Sequence, residues 1–408
     1  MLILSHLLRR AIKRGRLTVI GPRGEQASFG SGVDGPAVTV RLHDAKIGRE
    51  LFFNPELAVA EGYMDGRITF ENGSTLHDLL WLFWLQRSNL RGHPLQRAIR
   101  NIRRRFRRWQ MHNPVGITAR NARHHYDIPS SFYRLWLDSS MTYTCAYWRT
   151  PDVGLEQAQR DKIRHVAAKL NLIPGMKVLE IGSGWGELAI YLARFCGVQV
   201  TGLNLSPEQI AVAQQRVAEA GVVDKVTFLE KDYREISGTF DRIVSVGMME
   251  AVGVANFDEY FGAIKNLLTP DGFALVHCIG RMEPPGYTGP FFQKYIFPGG
   301  YAPALSEVFE SVQRVGLWSS DCEFLRLHYY WTIKAWRERF MARRTEVVAM
   351  MGERFARMWE FYLTAVEISF LVGADLVFQL LVGKTRDAVP VIRDYMVDDE
   401  RRLAKADV

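Results

Sequence analysis

Cysteine is scarce in this sequence, and its four residues are widely separated. Cys145, Cys196, Cys278 and Cys322 form no C-x-x-C pair. This spacing is untypical of a disulfide scaffold or of a cysteine zinc site, so no metal site is predicted. A chain with a few isolated thiols fits a reducing cytosol best.

Long hydrophobic runs are missing as well. A transmembrane helix needs about 18–20 uncharged apolar residues, but the run that begins at Leu79 stops at Arg87, and Phe361–Val382 contains two acidic residues. The start, Met1–Leu8, is apolar, yet its basic residues follow the apolar stretch, whereas in a signal peptide they precede it. The sequence therefore predicts neither a span nor a signal peptide, and the start is interpreted as a short amphipathic helix.

Positive charge is plentiful but unevenly distributed. The 408 residues include 52 Lys or Arg and 44 Asp or Glu, which gives a net charge of +8. Residues 1–112 hold 19 basic and 9 acidic residues, a net charge of +10, so the rest of the chain has a net charge of −2. A basic module of this kind indicates an anionic partner, either an acidic membrane surface or nucleic acid.

Residues 95–109 carry much of this charge. Their apolar residues recur at helical spacing: Leu95, Ile99, Ile102, Phe106 and Trp109. Seven arginines cover the other faces of the predicted helix. Such a helix suits an anionic lipid surface, although a linker helix with solvated arginines is the alternative. No base-reading motif accompanies the arginines, so nucleic acid is not predicted as a partner.

The pattern of turns and apolar runs predicts two domains that meet near Asn113-Pro114. Residues 1–112 are predicted to form a small α+β domain, with strands at Leu17–Ile20 and Ala37–Leu42 and helices at Leu51–Asp65 and Leu76–Leu85. Residues 113–408 are predicted to form an α/β domain with a mostly parallel, Rossmann-like sheet and helical additions. Its predicted strands are Lys177–Ile181, Val198–Leu203, Val226–Glu230, Arg242–Val246 and Phe273–His277. The segment from Ser306 to about Val382 is predicted to be mainly helical.

A glycine-rich loop follows the first strand of the second domain. The strand carries Glu180 near its end and leads into Gly182, Gly184 and Gly186. Glycines permit positive φ and a close approach of a ligand to the main chain. The spacing G-x-G-x-G differs from the G-x-G-x-x-G that seats a dinucleotide, and the acidic residue before the loop suits a cationic amino-acid group. The segment resembles the loop of S-adenosylmethionine-dependent methyltransferases.

That resemblance implies further cofactor contacts at later strand ends. Asp232 would accept the adenine amino group, and Tyr233 would lie beside the ring. The second strand ends without an acidic residue for the ribose hydroxyls, so Asn204 or Gln209 would serve instead. In an open α/β sheet the carboxyl ends of the strands face the ligand crevice. Glu180, Asp232 and the later Glu250 and His277 should therefore converge.

Four segments make the resemblance more specific. They are His124-His-Tyr-Asp127, Thr144-Cys-Ala-Tyr-Trp148, Gly247-Met-Met-Glu250 and His277-Cys-Ile-Gly280. Together they resemble the cyclopropane-fatty-acyl-phospholipid synthase family, including the related mycolic acid cyclopropane synthases, over nearly all of the chain. The resemblance implies a class I methyltransferase fold, with C-terminal helices over an acyl tunnel. It implies methyl transfer from S-adenosylmethionine to the cis double bond of an unsaturated phospholipid acyl chain, followed by ring closure.

The resemblance also implies a bound bicarbonate ion as the base. Its ligands would be the backbone amide of Cys145, Glu250, His277, the backbone of Ile279, and Tyr329, with Tyr330 as the alternative tyrosine. Three aromatic residues would line the sulfonium or acyl site: Tyr143, Tyr147 and Trp148. Each position also has a structural interpretation: Cys145 as a small buried residue, His277 as a core histidine, and His124 and Tyr126 as packing residues.

Two departures from the family pattern concern the product. Ala251 stands where the family commonly has His, and Asn204 stands where Thr is usual. A relative that leaves a methylene- or methyl-branched chain without closing a ring would look almost the same. A soluble small-molecule methyltransferase and a non-catalytic lipid-binding protein are two competing hypotheses. The predicted location is cytoplasmic, at the inner face of the cell membrane, and a homodimer is left open.

Overall fold

The computed structural model describes residues 2–87 and 128–407, which fall into two compact units. The first unit contains residues 2–87, Tyr287–Pro298 and Trp336–Gly373. The second contains residues 128–286, Gly299–Ala335 and 374–407. The predicted division near residue 112 placed both later segments of the first unit in the second domain, whereas the structure groups them with the N-terminal residues.

The strands of the described residues are β1 (Arg16–Ile20), β2 (Gln26–Phe29), β3 (Ala37–Leu42), β4 (Ile68–Glu71), β5 (Lys177–Ile181), β6 (Gln199–Asn204), β7 (Val226–Glu230), β8 (Phe240–Val246), β9 (Leu268–Arg281), β10 (Trp318–Phe324) and β11 (Asp375–Gly383). The helices are α1 (Leu2–Ala11), α2 (Ile47–Phe53), α3 (Pro55–Met64), α4 (Leu76–Leu85), α5 (Ser130–Tyr133), α6 (Leu155–Lys169), α7 (Glu187–Cys196), α8 (Pro207–Glu219), α9 (Phe257–Leu267), α10 (Leu305–Val315), α11 (His328–Ala342), α12 (Arg344–Met351), α13 (Glu353–Val372) and α14 (Asp394–Ala406).

The first unit has a four-stranded sheet in the order β2-β1-β3-β4. β1 pairs in parallel with β3 and antiparallel with β2, and β3 pairs antiparallel with β4. Alternate residues of β1 and β3, including Leu17, Val19 and Val40, enter one apolar core with Leu79 and Leu82 of α4. The predicted α+β character of the N-terminal residues is confirmed.

One predicted helix of this unit is in fact two. The sequence predicted a single helix over 51–65, but α2 ends at Phe53 and α3 begins at Pro55. Proline has no amide hydrogen and disfavours helical backbone in the residue before it, so Asn54 takes φ −142° and ψ 69°. The break was not predicted, because the helical periodicity of the apolar residues continues across it.

The second unit is organised around a seven-stranded sheet in the order β10-β11-β9-β8-β5-β6-β7. The five strands from β9 to β7 are parallel to one another. β11 pairs antiparallel with β9, and β10 pairs antiparallel with β11, so β11 alone runs against the other strands of this sheet. The predicted mostly parallel sheet is confirmed, and β5 and β7 have the predicted bounds. From β5 the chain adds strands on one side and then crosses to β8 on the other, so the carboxyl ends of β5 and β8 flank the topological switch point, where ligands bind in such sheets.

The prediction that 306–382 is mainly helical is confirmed, but it missed two strands, β10 and β11. β11 is a nearly continuous apolar run that is buried along almost its whole length, and such a run cannot be told from a buried helix by periodicity. β10 is an edge strand with four polar residues in its centre, so it shows no alternation of apolar residues. Within the described residues, no helix is long and apolar enough to cross a membrane.

Candidate active site

The glycine loop joins β5 to α7 at the centre of the sheet. Gly182, Gly184 and Gly186 all have positive φ, at 87°, 51° and 87°. A Cβ at Gly186 would lie 2.8 Å from Cβ of Ala213, so the packing itself requires glycine there. A Cβ at Gly184 would have no neighbour within 4 Å, so this glycine serves backbone conformation and leaves the loop open to a ligand.

Glu180 is a buried carboxylate directly before the loop. Its Oε2 has no hydrogen-bond partner in the part of the chain that the structure describes, and burial raises the pKa of the carboxyl to about 8. Lys162 of α6 is also buried, and burial lowers its pKa to about 8 against the opposing influence of Asp138 and Glu180. An unpaired acceptor of this kind fits the ammonium group of an amino-acid ligand. Lys162 was not predicted from the sequence, although its position on a helix whose neighbours are nearly all buried is a signal.

The residues predicted to hold the ribose are hydrogen-bonded to the loop and to each other. Asn204 Nδ2 donates to the carbonyl of Gly184 at 2.9 Å and to Gln209 Oε1 at 3.0 Å. Asn204 Oδ1 accepts from the amide of Ser206 at 3.0 Å. Asn204 therefore fixes the glycine loop to the end of β6, and its contact with a ribose remains a prediction.

Asp232 is bound by its own neighbour on the chain. Its carboxylate accepts from the backbone amide of Arg234 at 3.0 Å, from Nε at 2.7 Å and from Nη2 at 2.8 Å. Tyr233 is buried with its ring edge-to-face against Tyr260, at a centroid distance of 5.4 Å. Both residues lie beyond β7 as predicted, and the arginine orients the carboxylate proposed for adenine.

Glu250 and Ile279 contact each other. Glu250 follows β8 in a short helical turn at Met249–Ala251, and its Oε1 accepts from the Ile279 amide at 2.6 Å. Its Oε2 is buried without a hydrogen-bond partner among the described residues, and burial raises the pKa of this carboxyl to about 7 against the opposing influence of the Ile279 amide and the Cys278 thiol. The predicted anion ligand Ile279 thus directs its amide at Glu250, while one oxygen of Glu250 remains available.

His277 is neutral and buried near the end of β9. Burial lowers its pKa to about 3. Its Nδ1 lies 3.2 Å from Nε2 of Gln379, a residue of β11 that was not predicted from the sequence. Nε2 of His277 has no hydrogen bond to any described residue.

Two of the four strand ends predicted to converge, those of β8 and β9, meet around Gly247. The amide of Gly247 donates to the carbonyl of His277 at 2.9 Å. A Cβ at Gly247 would lie 2.8 Å from Cγ2 of Thr144, so the residue before Cys145 packs directly on this turn. The ends of β8 and β9 and the segment 144–148 are therefore neighbours.

Cys145 lies in a segment fixed by α11. Thr332 Oγ1 accepts from the Ala146 amide at 3.1 Å and from the Trp148 indole at 2.9 Å. The Cys145 thiol is fully buried and its pKa is raised by burial, so it is poorly suited to act as a thiolate nucleophile. Its backbone amide donates to none of the described residues, which leaves it free for an external acceptor. Thr332 is a further residue that was not predicted from the sequence.

The predicted aromatic residues have different surroundings. Tyr143 packs edge-on against Trp136 at 5.4 Å. Tyr147 is stacked between two histidines, at centroid distances of 4.2 Å from His165 and 4.8 Å from His328, which is a packing role. Tyr329 is buried in the first turn of α11, next to His328, and Tyr330 is partly buried. Residues 95–109, His124 and Tyr126 lie outside the described residues.

A family model described as mycolic acid cyclopropane synthetase matches residues 116–380, well over half of the chain. The chain belongs to this family. A probable fatty acid methyltransferase of Pseudomonas putida is 40% identical over 269 residues, which are 64% of this chain and 68% of that protein. The cyclopropane-fatty-acyl-phospholipid synthase of Escherichia coli K12 is 39% identical over 260 residues, 64% of this chain and 66% of that protein. The chain thus spans about two thirds of the length of these relatives.

A solved structure gives the same result for the fold. The mycolic acid cyclopropane synthase CmaA1, in complex with SAH and CTAB, matches with a TM-score of 0.62 at 31% identity, covering 65% of this chain and 98% of that chain. These comparisons confirm three predictions. They are the family, the class I methyltransferase fold and the enzyme class, an S-adenosylmethionine-dependent methyltransferase. The open Gly184 and the unpaired Glu180 Oε2 fit the amino-acid end of that cofactor.

Proposed function

We propose that this enzyme transfers the methyl group of S-adenosylmethionine to the cis double bond of an unsaturated acyl chain in a membrane phospholipid and then closes a cyclopropane ring. The observation that carries the proposal is the unpaired, buried Oε2 of Glu250, near the switch point of a methyltransferase sheet. Methyl transfer to oxygen or nitrogen forms no carbocation, whereas methyl transfer to an alkene needs a carboxylate near the cation and a base for the proton lost on ring closure. The family membership supports the same reaction class.

The chemistry sets three demands on the protein. An alkene is a weak nucleophile, so it must be aligned with the sulfonium in a dry site. The cation formed on attack is favoured by aromatic faces and a nearby carboxylate. A base must then remove one proton from the new methyl group to close the ring. When bound, S-adenosylmethionine supplies the electrophilic methyl group.

The residues around Gly247 fit a small oxyanion. Among the described residues, the Cys145 amide and Nε2 of neutral His277 have no hydrogen-bond partner, and neither has Oε2 of Glu250. Tyr329 would add a hydroxyl. These groups would hold bicarbonate by donating to its oxygens, and Glu250 would accept its hydroxyl proton. When bound, bicarbonate supplies the base for the proton lost on ring closure.

A same-family product without a ring is the second candidate. The Pseudomonas putida relative is named a probable fatty acid methyltransferase, without reference to ring closure. An enzyme of that type would make a methylene- or methyl-branched acyl chain from the same cation. The two candidates share the cofactor site and differ in which proton is lost.

The positive charge of the N-terminal residues bears on where the enzyme meets its substrate. The net charge of +10 on residues 1–112 supports docking on the anionic inner face of the cell membrane from the cytoplasm. Neutralising three arginines between positions 103 and 108 should weaken binding to anionic vesicles and reduce its salt dependence. Unchanged binding at low salt would contradict this role. A homodimer is compatible with the proposal but is not required by it.

Product analysis tests the proposed reaction. Purified enzyme is incubated with methyl-labelled S-adenosylmethionine and vesicles of mono-unsaturated phospholipid, and the released fatty acids are identified by mass spectrometry. A labelled, saturated ring product supports cyclopropane synthesis, and a labelled branched alkene supports the second candidate. Label in small molecules but not in lipid would contradict both.

A further inference from the structure

Gln379 is a polar residue in a strand that is otherwise apolar. It lies in the middle of β11, within the sequence Leu376-Val-Phe-Gln-Leu-Leu-Val382, and is 1% exposed. In the antiparallel register of β11 and β9, it stands directly opposite His277, which is 2% exposed. Directly opposed residues of an antiparallel pair point to the same face of the sheet, so the two side chains meet.

The contact between the two side chains has a direction. Gln379 Nε2 lies 3.2 Å from Nδ1 of His277. In this orientation of the amide its nitrogen faces the ring, and an amide nitrogen can only donate, so here Nδ1 accepts and carries no proton. Burial lowers the pKa of His277 to about 3, so the ring is neutral near pH 7 and has one N–H. With Nδ1 occupied as an acceptor, that single N–H belongs to Nε2.

The rest of the environment does not explain the glutamine. Within the described ranges its Oε1 is buried without a hydrogen-bond partner, which is unfavourable for an amide in a core. Leucine or methionine would fill the position without this cost, as the neighbouring apolar residues of β11 do. The contact with His277 is the one hydrogen bond of the Gln379 side chain among the described residues.

We propose that Gln379 is a positioning residue that holds His277 in the Nε2–H tautomer, so that a hydrogen-bond donor faces the oxyanion site. This inference rests on the proposed function, in which His277 donates to a bound anion. In the opposite tautomer, Nε2 would present a lone pair to the anion and repel it. Gln379 itself need not touch the substrate or the cofactor.

The tautomer can be measured in the unmodified protein. Selective ¹⁵N labelling of histidine, with long-range ¹H–¹⁵N correlation near pH 7, separates a protonated from an unprotonated ring nitrogen. The His277 signals are assigned from their absence in the His277→Gln variant. We expect an unprotonated Nδ1 and a protonated Nε2. A protonated Nδ1 would overturn the proposal, whatever the enzyme's product.

Two variants test the consequence for turnover. Gln379→Met keeps a similar volume but removes the donor, and Gln379→Glu offers an acceptor that favours a proton on Nδ1. We expect kcat to fall by about 10- to 100-fold in both, a range typical of partners that orient a functional histidine. The Kd for S-adenosylmethionine should stay within about twofold of the original value, because the cofactor contacts lie elsewhere.

The control separates orientation from packing. Leu381 lies on the same face of β11 two residues away, and Leu381→Met is a volume-conserving change that should leave kcat nearly unchanged. If Gln379 acts through His277, Gln379→Met should add little to the loss already caused by His277→Gln. Full additivity of the two losses would contradict the proposal. If the unmodified enzyme transferred no methyl group to lipid, the proposed function would be contradicted, while the tautomer result would stand.

Discussion

The two halves of the site differ in how their polar groups are satisfied. The cofactor half comprises Glu180, the glycine loop, Asn204 with Gln209, and Asp232. Here Asn204 and Asp232 are hydrogen-bonded within the protein and the loop is fixed in place, whereas Glu180 Oε2 has no partner among the described residues and is the acceptor proposed for the cofactor's ammonium group. Such internal bonding pre-organises a site that binds the same cofactor in every turnover.

The reaction half comprises Cys145, Glu250, His277 and Ile279. Three of its groups have no partner among the described residues: the Cys145 amide, Glu250 Oε2 and His277 Nε2. Unpaired polar groups in a buried site are unfavourable for stability and are retained where a ligand satisfies them. We therefore propose that the first half binds the cofactor and that the second half carries the specific chemistry.

The strongest test of this division is Glu250→Gln. The amide keeps an oxygen for the Ile279 N–H but cannot accept a proton, so kcat should fall by about 10²- to 10⁴-fold, the range for a lost acid–base group. The Kd for S-adenosylmethionine, measured by calorimetry, should remain within about twofold. The control Glu307→Gln changes a buried carboxylate that caps α10 and should leave kcat unchanged. Normal turnover in Glu250→Gln would contradict the division of the site into these two halves.

The opposite result is expected for Glu180→Gln. Its loss removes a charge-assisted hydrogen bond to the cofactor's ammonium group, which is worth about 1.5–3 kcal/mol. The Kd for S-adenosylmethionine should therefore rise about 10- to 100-fold, while kcat at saturating cofactor should change little. Calorimetry and saturation kinetics give the two values. A fall in kcat with an unchanged Kd would place Glu180 in the reaction half.

Much of the cofactor half could be predicted from the sequence because its signals are local. An apolar strand, an acidic residue and three glycines lie within 177–186, and β5 has the predicted bounds. The hydrogen bonding of Asp232 within the protein also had a local signal. Asp232 and Glu235 have the spacing of a capping box, in which the Asp232 carboxylate accepts from a backbone amide of the next turn.

The reaction half depends on contacts between distant residues, and these leave no pattern in the sequence. Gln379 reaches His277 across 102 positions, and Thr332 reaches Trp148 across 184. No strand was predicted at the position of β11, which lies in a segment predicted to be mainly helical, so its register opposite β9 could not be used to place Gln379. Family resemblance supplied Cys145, Glu250 and His277, but it did not supply the residues that orient them.

The pH dependence should separate the two halves again. The pKa of Glu250 is raised from 4.5 to about 7, so the free enzyme holds this carboxyl protonated below pH 7. Because the ionised form is the acceptor, kcat/KM should rise about 10-fold per pH unit below pH 7 and level off above it. A pH series at saturating cofactor measures this rise, and it should be absent in Glu250→Gln. A rise that persists in that variant would belong to another group.

A smaller effect is expected where α11 fixes the segment around Cys145. Thr332→Val keeps the shape but leaves the Ala146 and Trp148 N–H groups without an acceptor, which should lower the free energy of unfolding by about 1–3 kcal/mol. Displacement of the Cys145 amide should reduce kcat about 10-fold, or about 1.4 kcal/mol. Thr364→Val is the matched control, because Thr364 donates to the carbonyl four residues back, as Thr332 does, but accepts no such bonds. Equal loss of kcat in both variants would contradict a role for the hydrogen bonds that Thr332 accepts.

The smallest effect is expected at Ala251, where the family commonly has histidine. Ala251 is exposed at the end of the turn that carries Glu250, and substitutions at exposed positions usually change the free energy of unfolding by no more than about 0.5 kcal/mol. Ala251→His should therefore leave kcat within about twofold, since none of the three unpaired groups of the reaction half is altered. Mass spectrometry of the fatty acids gives the ratio of ring to branched product, which should also be unchanged. A shift in that ratio would show that residue 251 influences which proton is removed from the cation, and that Glu250 and His277 alone do not determine the product.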